Sequence, residues 1–409
     1  MSYQFHTNSD PHAIDEFVIN SDQNTLFQCH EWASIKEDTW NSVFTSVTED
    51  GKIVASALVL IRPVLFGKTM VYIPRGPVMD WHNTELVTFM LDHLVALAKE
   101  HHAMVLRFDP NVIYKHYDIK EKDQEHEPQN EDVIDFLKQY GAKHKGFTKR
   151  IEEATQPRYN IIMHVDEHWQ DRLIKNTRQS IRTAEKRGAE AFEGVEYIPD
   201  LRTALHSTET RQGIVLRNES YFQHMAEVYG DHCLIMVARL NFAHETERLT
   251  KDLKDAKKQL EQAASKKETA RLTKQIENDE SELQRIQEYR AQEGKEEVVL
   301  CGKMVCFNDK RMEFFYMGNN TNYMRVRANY WLYSKCIQRC ADLHIPICSF
   351  GGVEGTLDDG LTQFKSAWPV EVEEYIGEFN IVLNSFVYGL FTKIYPVLLN
   401  TAAKLRSSH

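Results

Sequence analysis

The sequence lacks several features that would place a protein outside the cytosol. Its seven cysteines are an odd number and include no CxxC pair. Cys336 and Cys340 have helical spacing but no further ligands nearby, which argues against a zinc site. Reduced thiols in the cytosol are the simplest interpretation. The N-terminus shows neither a basic region nor an apolar core, so we expect no signal peptide.

A long uninterrupted hydrophobic run is also missing. The most apolar tract, Ile381 to Leu399, is broken by Asn384, Lys393 and Pro396, which makes it a poor membrane span. Its apolar side chains could lie on a membrane surface, although packing into a core is the commoner outcome. These side chains are Phe386, Tyr388, Leu390, Phe391, Ile394 and Tyr395. We expect a cytoplasmic protein and leave peripheral contact with the inner face of the membrane open.

An excess of positive charge is absent as well. The chain of 409 residues has a net charge of −11, which argues against wholesale coating of nucleic acid but not against a local basic patch. Such a patch occurs between Trp169 and Gly188, which has the pattern of an amphipathic helix. Its cations are Arg172, Lys175, Arg178, Arg182, Lys186 and Arg187. They are candidate phosphate contacts, and scattered surface salt bridges would explain the same composition.

The segment from about His244 to Glu297 is rich in Lys, Glu, Gln and Ala and contains no proline. Apolar residues recur with the heptad spacing of a coiled coil in two stretches. The first is Leu249, Leu253, Ala256, Leu260 and Ala263, and the second is Leu272, Ile276, Leu283 and Ile286, with Asp279 as a polar exception. The pattern predicts an antiparallel helical hairpin that turns near 264–267. This pattern fits two alternatives: a solvated hairpin with a purely structural role, and an arm that contacts a large partner.

On either side of this arm the same order of elements occurs twice. The first copy has strands at Lys52–Leu60 and up to Ile73, a helix at Glu85–Lys99 and a strand at Val105–Pro110; the second has strands at Val298–Phe307 and Glu313–Gly318, a helix at Arg325–Leu343 and a strand at Ile345–Phe350. This is the order of acyl-CoA N-acyltransferases. We predict an α/β fold with two GNAT-like subdomains, 1–150 and 151–243 with 298–409. The antiparallel coiled-coil arm is inserted at 244–297.

Paired glycines follow the last strand of the second copy. Gly351 and Gly352 predict that the strand ends where the backbone approaches a ligand closely. Phe364 and Lys365 come a few residues later. A glycine turn followed by a surface lysine is the simpler alternative.

Together these segments resemble one family, the FemABX aminoacyltransferases of bacterial cell-wall assembly, and most closely its streptococcal MurM/MurN branch. The resemblance covers nearly the whole chain. It depends on the order of these motifs and on the place of the arm: Trp32-x-x-x-Lys36, Ile73-Pro74-Arg75-Gly76-Pro77, Phe108-Asp109-Pro110, Gln156-Pro157-Arg158, Ile181-Arg182-Thr183-Ala184, Leu216-Arg217-Asn218-Glu219-x-Tyr221, Gly351–Lys365 and Glu374-Tyr375-Ile376-Gly377-Glu378-Phe379.

The resemblance implies a reaction between aminoacyl-tRNA and the peptidoglycan precursor lipid II. The amino acid would be transferred to the stem-peptide lysine. Aminolysis of an activated ester requires orientation, a neutral amine and stabilisation of an oxyanion, so we expect neither a metal nor another cofactor. Whether alanine, serine or glycine is transferred stays open, as does the oligomeric state.

The resemblance also implies roles for individual residues. Asp109, Tyr221, Phe364 and Lys365 are the candidate catalytic residues, with Asp109 receiving the amine and Lys365 facing the oxyanion or a tRNA phosphate. Asp109 could instead cap a turn. The candidate substrate contacts are Trp32, Lys36, Arg75, Arg217 and Tyr316. Lys36 and Arg217 are assigned to the lipid II diphosphate, and the candidate tRNA contacts are Lys175, Arg178 and Arg182. Arg217 and Tyr221 are expected on one helix, and Arg75 could simply brace its own turn.

Two other functions remain open at this point. An acyl-CoA-dependent N-acyltransferase usually carries a Q/R-x-x-G-x-G/A loop before a helix, and this sequence has none. A non-enzymatic scaffold, with the coiled coil as its binding element, would need no active site. Loss of turnover on replacing Lys365 by alanine would separate a transferase from a scaffold.

Overall fold

A computed structural model describes residues 2–212 and 216–393 of the chain. The strands are β1 Gln4–Thr7, β2 Asn41–Glu49, β3 Lys52–Pro63, β4 Thr69–Ile73, β5 Val78–Met79, β6 Ala103–Phe108, β7 Ile113–Asp118, β8 Lys143–His144, β9 Tyr159–His164, β10 Ala189–Glu193, β11 Cys233–Asn241, β12 Glu297–Phe307, β13 Arg311–Asn319, β14 Ile347–Val353, β15 Glu371–Tyr375 and β16 Phe379–Val382. The helices are α1 Pro11–Ile19, α2 His30–Lys36, α3 Thr84–Glu100, α4 Glu131–Tyr140, α5 Lys175–Lys186, α6 Ile198–Gln212, α7 Glu219–Tyr229, α8 Phe242–Glu261, α9 Lys266–Glu293, α10 Ala328–Asp342 and α11 Gly360–Lys365. Residues 385–393 are also helical.

The chain divides into two compact units. The described residues of the first unit are 2–169, 307–313 and 343–393, and those of the second are 170–212, 216–306 and 314–342. This division by contacts places 151–169 and the residues after 342 in the first unit, whereas the repeat assigned them to the second subdomain. The order of strands and helices in both predicted copies is confirmed. The predicted boundaries at 150 and 151 stay a prediction.

The larger sheet of the first unit positions two candidate site residues. Its strand order is β1-β2-β3-β4-β6-β16-β8, with β5 paired to β3. Strands β4 and β6 are parallel, with Ile73 opposite Phe108, and α3 connects them. Because parallel neighbours end at the same edge of a sheet, Arg75 and Asp109 come together just beyond these two strands.

Helix α3 forms because its sequence gives it an N-cap and one apolar face. The side chain of Asn83 accepts a hydrogen bond from the backbone N–H of Leu86, which satisfies a free donor of the first turn. Leu86, Met90 and Leu94 follow the i, i+4 spacing and pack with strand residues in one buried core. The strand residues of this core include Val59, Ile73, Leu106 and Phe108.

The first unit also contains a second set of paired strands. Strand β14 pairs with β9, β9 with β15 and β15 with β7, and Arg311–Glu313 at the start of β13 run parallel to β14. The predicted end of β14 at its glycines is wrong, because Gly351 and Gly352 continue the pairing with β9 across a bulge. Gly351 has φ +79, and a Cβ at Gly352 would lie 2.4 Å from the ring of Pro157. The glycines are therefore required within the strand.

The second unit contains β10, β11, β12 and the rest of β13, and α10 packs against α5. The predicted helix 169–188 begins later than expected, because Ile174 has an extended backbone and α5 starts at Lys175. Similarly, α10 starts at Ala328, after a 3-10 turn. The prediction that Arg217 lies on a helix is wrong, because α7 begins after its N-cap Asn218 and Arg217 precedes it.

The predicted arm is present as α8 and α9. Its apolar seam contains Leu253, Ala256 and Ile276, and a Lys257–Glu280 ion pair of 2.8 Å connects the two antiparallel helices. The turn occupies 262–265, slightly earlier than predicted. At the base of the arm, Arg248 donates to the carbonyl of Lys186 at 2.7 Å, so the arm is attached to the end of the basic helix α5.

The described helices include none with the length and apolar character needed to cross a bilayer. The apolar tract that begins at Ile381 forms strand β16 and the helix 385–393. Ile394 and Tyr395, which belong to the predicted membrane-surface side chains, lie outside the described residues.

Candidate active site

Asp109 is buried in the first unit and is held by two donors. Its carboxylate accepts hydrogen bonds from the Tyr72 hydroxyl at 2.9 Å and from the backbone N–H of Arg75 at 2.8 Å. Burial raises the pKa of Asp109 to about 6, against the opposing effects of Arg75 and of these hydrogen bonds. The carboxylate therefore braces the turn at Arg75, and its raised pKa makes it a better proton acceptor than an exposed Asp.

Tyr72 also lines a cleft of about 340 Å³ in the first unit. The cleft is lined by Trp32, Lys36, Trp40, Leu60, Arg62, Met70, Tyr72, Arg107, Thr155 and Gln156. Lys36 and Trp32 are four residues apart on α2, and the Lys36 ammonium lies 4.2 Å from the centre of the Trp32 ring. The structure thus brings the predicted pair Trp32 and Lys36 into one cationic and aromatic cleft.

Two arginines of this cleft were not predicted. Arg62, at the end of β3, lies 4.8 Å above the ring of Trp40. Arg107, on β6, donates to Asn380 at 3.0 Å and forms an ion pair with Glu378 at 3.2 Å. With Lys36 they line the cleft with three cationic side chains, of which Arg107 is already paired with Glu378. In the sequence alone, positions near the ends of strands do not distinguish these two arginines from solvated surface arginines.

Arg75 is buried, and its side chain already has partners. The guanidinium donates to the carbonyl of Pro157 at 2.6 Å and lies 4.2 Å from the centre of the Tyr375 ring. The residue itself has φ +51, which the Asp109 carboxylate supports by accepting its N–H. These contacts favour the bracing role for Arg75 over direct contact with a substrate.

Lys365 is 1% exposed, so the surface-lysine alternative is wrong. Its ammonium donates to the carbonyls of Gly351 and Gly352 at 3.0 Å each, which uses two of its three N–H donors. Burial lowers the pKa of Lys365 to about 7, while Asp359 and Glu313 oppose this change. Phe364 precedes it on α11 and is half-buried.

In the second unit the structure brings Arg217, Tyr221 and Tyr316 together. Arg217 is exposed, and its guanidinium lies 5.0 Å from the centre of the Tyr221 ring. The Tyr316 hydroxyl is hydrogen-bonded to Tyr221 and to Arg217, and burial raises the pKa of Tyr316. Arg217 and Tyr221 are therefore in contact as predicted, but the contact is this stacking and does not come from a shared face of one helix. An exposed guanidinium fixed on an aromatic ring is well placed to bind an anion.

The basic face of α5 is present in the second unit as predicted. Lys175, Arg178 and Arg182 are exposed, and with Gln179, Thr183 and Lys186 they line a surface groove of about 530 Å³. The opposite face is anchored by buried Thr177 and Ala184. The cations therefore project from one side of a fixed helix.

Comparison with known proteins decides the family. The sequence pattern of the FemAB family matches residues 10–395. This chain is a member of the FemAB family. It is similar to a lipid II:glycine glycyltransferase of Staphylococcus saprophyticus, with 28% identity over 418 residues and 96% of each chain covered. It is also similar to the aminoacyltransferase FemA of Staphylococcus epidermidis, with 23% identity over 378 residues, 87% of this chain and 90% of the relative.

A solved structure confirms the fold of this FemAB protein. The crystal structure of FemX matches it with a TM-score of 0.76 and 22% sequence identity, covering 95% of this chain and 99% of the other. The predicted fold class, an α/β protein with two GNAT-like subdomains and an inserted helical arm, is confirmed. The predicted closeness to the MurM/MurN branch stays a prediction.

Some side chains of this FemAB protein could also hold a metal ion. Within the described residues, three groups have their ligand atoms within 4.8 Å of one another. They are His12, Asp15 and His30; Asp15, Cys29 and Glu31; and His116, His164 and Glu371. None of the groups includes a residue that was predicted to act in the reaction.

Proposed function

We propose that this FemAB protein is a tRNA-dependent aminoacyltransferase that adds alanine, serine or glycine to the stem-peptide lysine of lipid II. The main supporting observation is the buried Tyr72–Asp109 pair beside a cationic cleft. The relatives named as a lipid II:glycine glycyltransferase and as FemA support the same reaction class. The proposal is tested by incubating the protein with labelled aminoacyl-tRNA and lipid II and analysing the product by mass.

The amine of the acceptor lysine is proposed to bind next to Asp109. The lysine arrives as an ammonium and must lose a proton before it can attack the ester carbonyl. The Asp109 carboxylate is proposed to orient the ammonium, and burial, which raises its pKa to about 6, makes it a stronger base for the proton than an exposed Asp. Attack forms the C–N bond, and the C–O bond to the ribose breaks as the ribose oxygen takes up a proton. The ribose hydroxyl is a candidate relay for that proton.

Lys365 is proposed to stabilise negative charge during this step. Two of its N–H groups are fixed on glycine carbonyls, so the direction of the third is determined before the substrate binds. A preoriented donor in a dry site stabilises a developing oxyanion more strongly than a mobile surface lysine does. A phosphate at the acceptor end of the tRNA is the alternative partner for this donor. Phe364 is proposed to shape the reaction site beside Lys365, and Tyr221 is proposed to act in the second unit, where the Arg217 guanidinium lies over its ring.

Lys36 in the first unit is proposed to contact the diphosphate of lipid II, and Arg217 in the second unit is proposed separately as a phosphate contact of the acceptor. Lys36 lies in a cleft with two further cations, Arg62 and Arg107, and the aromatic rings of this cleft offer stacking surfaces to a sugar. Arg217 is exposed and held against Tyr221. Charge-assisted hydrogen bonds to phosphate are among the stronger polar contacts in proteins.

We expect Lys36→Ala and Arg217→Ala to weaken binding of the acceptor and to leave binding of the donor unchanged. Each loses on the order of 1.5–3 kcal/mol, or about 10- to 150-fold in KM for lipid II, if one charged hydrogen bond disappears. Steady-state kinetics with each substrate varied in turn measures this. Lys52→Ala, which removes an exposed cation of β3, is the control. An unchanged acceptor KM in both variants would show that neither residue contacts the phosphates of the acceptor.

The donor tRNA is proposed to contact the basic face of α5. Its three exposed cations lie on one side of the helix, and an acidic chain needs only local positive charge to bind phosphates. The arm is attached to the end of this helix through Arg248. Contact between the arm and the tRNA is a further part of this proposal.

We expect Arg178→Ala with Arg182→Ala to raise KM for aminoacyl-tRNA and to reduce its salt dependence. Each lost phosphate contact should lower the slope of log K against log salt by nearly 1. Binding of tRNA between 50 and 200 mM salt, followed by fluorescence anisotropy, measures the slope. The matched control replaces the exposed Lys52 and Lys99 by alanine. A slope equal to that of the control would indicate that α5 has a purely structural role.

A lipid-linked acceptor also suggests peripheral contact with the membrane, for which the first unit has a suitable surface. Phe66 and Phe386 are 71% and 81% exposed. Each lies next to a residue of one apolar cluster: Leu65 and Val387 respectively. This cluster includes Met70 and Trp40, which also line the cleft. Exposed aromatic side chains beside a lipid-binding cleft are suited to insertion at the headgroup level.

We expect Phe66→Ser with Phe386→Ser to raise KM for lipid II in vesicles but not for a water-soluble precursor that carries the same diphosphate and stem peptide. Inserting a phenylalanine contributes roughly 1.5–3 kcal/mol, so the loss should be about tenfold or more for each residue. Val195→Ser, which removes another exposed apolar side chain, is the control. Equal KM values for the double variant and the wild type in vesicles would contradict membrane contact by this surface.

A further inference from the structure

A row of buried charged side chains connects the two residues proposed for the chemistry. Asp109, Arg75, Glu373, Arg311, Glu313 and Lys365 all lie in the first unit, and none is more than 9% exposed. In this order the signs of their charges alternate. Burying one charge is costly unless an opposite charge lies next to it. Six buried charges that alternate in sign along one row therefore point to a specific role for their pairing.

Hydrogen bonds and ring contacts define most of this row. The Asp109 carboxylate accepts from the N–H of Arg75, whose guanidinium lies over the Tyr375 ring. The Tyr375 hydroxyl donates to the Glu373 carboxylate at 2.6 Å. This hydrogen bond brings the two side chains together across the irregularity in the β15–β7 pairing between Glu374 and Tyr375.

Arg311 joins Glu373 to Glu313. Its guanidinium lies 3.4 Å from the Glu373 carboxylate and 2.6 Å from that of Glu313. Arg311 and Glu313 are two residues apart at the start of β13, so they share one face. Both carboxylates are thereby held without solvent, and the pKa of Glu373 is lowered chiefly by the Arg311 charge, against the effect of burial.

The last link of the row, between Glu313 and Lys365, is electrostatic. Strand β13 places Glu313 opposite Ser349 of β14, two residues before Gly351, whose carbonyl accepts from the Lys365 ammonium. Asp359 is the N-cap of α11, the helix that carries Lys365. Burial disfavours the charged form of this lysine, while Asp359 and, next to it in size, Glu313 favour it. The contacting part of β14 supplies only the carbonyls of Gly351 and Gly352. The Asp359 carboxylate also caps α11 by accepting from the backbone N–H groups of Leu361 and Thr362, which leaves its negative charge in place.

We propose that Glu313 is a positioning residue that keeps Lys365 in its ammonium form, and that Arg311 and Glu373 hold the Glu313 carboxylate in place for this task. The effect of Glu313 on the kinetics rests on the proposed function, whereas its effect on the charge state of Lys365 does not. A fixed negative charge in a dry site offsets part of the desolvation that favours the neutral amine. A row built only to brace the strands would leave the charge state of Lys365 insensitive to Glu313.

The test measures Lys365 directly in the resting protein. Lysines labelled with 13C at Cε are followed by NMR across pH, and the Lys365→Arg variant assigns the signal. Glu313→Gln removes the charge with little change of shape and is expected to lower the pKa of Lys365 by about 1 or more. Glu313→Asp should largely restore it. Glu371→Gln, on the same strand as Glu373 but partly exposed, is the control and should leave the titration unchanged.

The kinetic arm separates this inference from the proposed function. If the protein transfers amino acids, the basic limb of kcat/KM should move to lower pH in Glu313→Gln, by the same amount as the Lys365 titration. If Glu313→Gln does not fold, Glu373→Gln replaces it, and a smaller change in the same direction is expected. An unchanged Lys365 titration overturns the inference. Absence of transfer activity overturns the proposed function, while the NMR result still decides the electrostatic claim.

Discussion

Replacing Lys365 by methionine is expected to lower kcat by about 10²–10³-fold, the usual cost of removing a preoriented donor to an oxyanion. Methionine is close in length and apolar, so it fills the buried site without leaving an unpaired charge. The carbonyls of Gly351 and Gly352 lose their donor, which can reduce stability. Thermal unfolding of the variant must therefore be measured beside its kinetics. A folded variant with wild-type kcat would contradict a role for Lys365 in the reaction.

The pH profile gives this prediction a second measurement. Activity that requires the Lys365 ammonium falls as the pH rises through its pKa, which burial lowers to about 7. The profile of kcat/KM reports the free enzyme, so its basic limb is expected near pH 7. In kcat this limb should lie at higher pH, because a bound anionic substrate favours the ammonium. The basic limb should disappear from the residual activity of Lys365→Met.

Replacing Asp109 by asparagine is expected to lower kcat by about 10²–10⁴-fold, the range for loss of a positioned proton acceptor. Asparagine can still accept from the N–H of Arg75, but it carries no charge to hold an ammonium. Activity that depends on the ionised carboxylate rises as the pH passes its pKa, which burial raises to about 6. The acid limb near pH 6 should therefore be present in the wild type and absent in the variant.

Tyr72→Phe provides the matched control for Asp109. It removes one hydrogen bond to the carboxylate and leaves the charge in place. Since that bond stabilises the ionised form, the acid limb should move to slightly higher pH, with a much smaller loss of kcat. Equally small losses in Asp109→Asn and Tyr72→Phe would indicate that the carboxylate only braces the turn at Arg75.

The sequence was sufficient for features that depend on local patterns. The heptad seam through Leu253 and Ile276 predicted the arm, and the basic face of α5 was visible from the spacing of Arg178 and Arg182. The Gly351–Gly352 pair was misinterpreted because a glycine before a ligand and a glycine in a bulge look the same in a sequence. Only the pairing with β9 and the approach of Pro157 distinguish them.

The partners of the site residues depend on which strands lie side by side, and local patterns do not specify this. Tyr72 meets Asp109 because β4 and β6 are parallel neighbours in a particular register. Glu373 occurs in a strand with glutamates at 371 and 374, a pattern typical of a solvated face, yet it is buried against Arg311. Arg62 and Arg107 likewise become visible as site residues only once the cleft is formed.

The most direct test of the central claim is a transfer assay with purified components. The protein is incubated with lipid II and, in separate reactions, with labelled alanyl-, seryl- and glycyl-tRNA, without added metal or acyl-CoA, and the product is analysed by mass. We expect lipid II to gain the mass of one or two of these residues on its stem lysine, and this product to disappear after ribonuclease treatment of the donor and in Asp109→Asn. Full activity after ribonuclease treatment, or transfer from acetyl-CoA in place of aminoacyl-tRNA, would contradict the account.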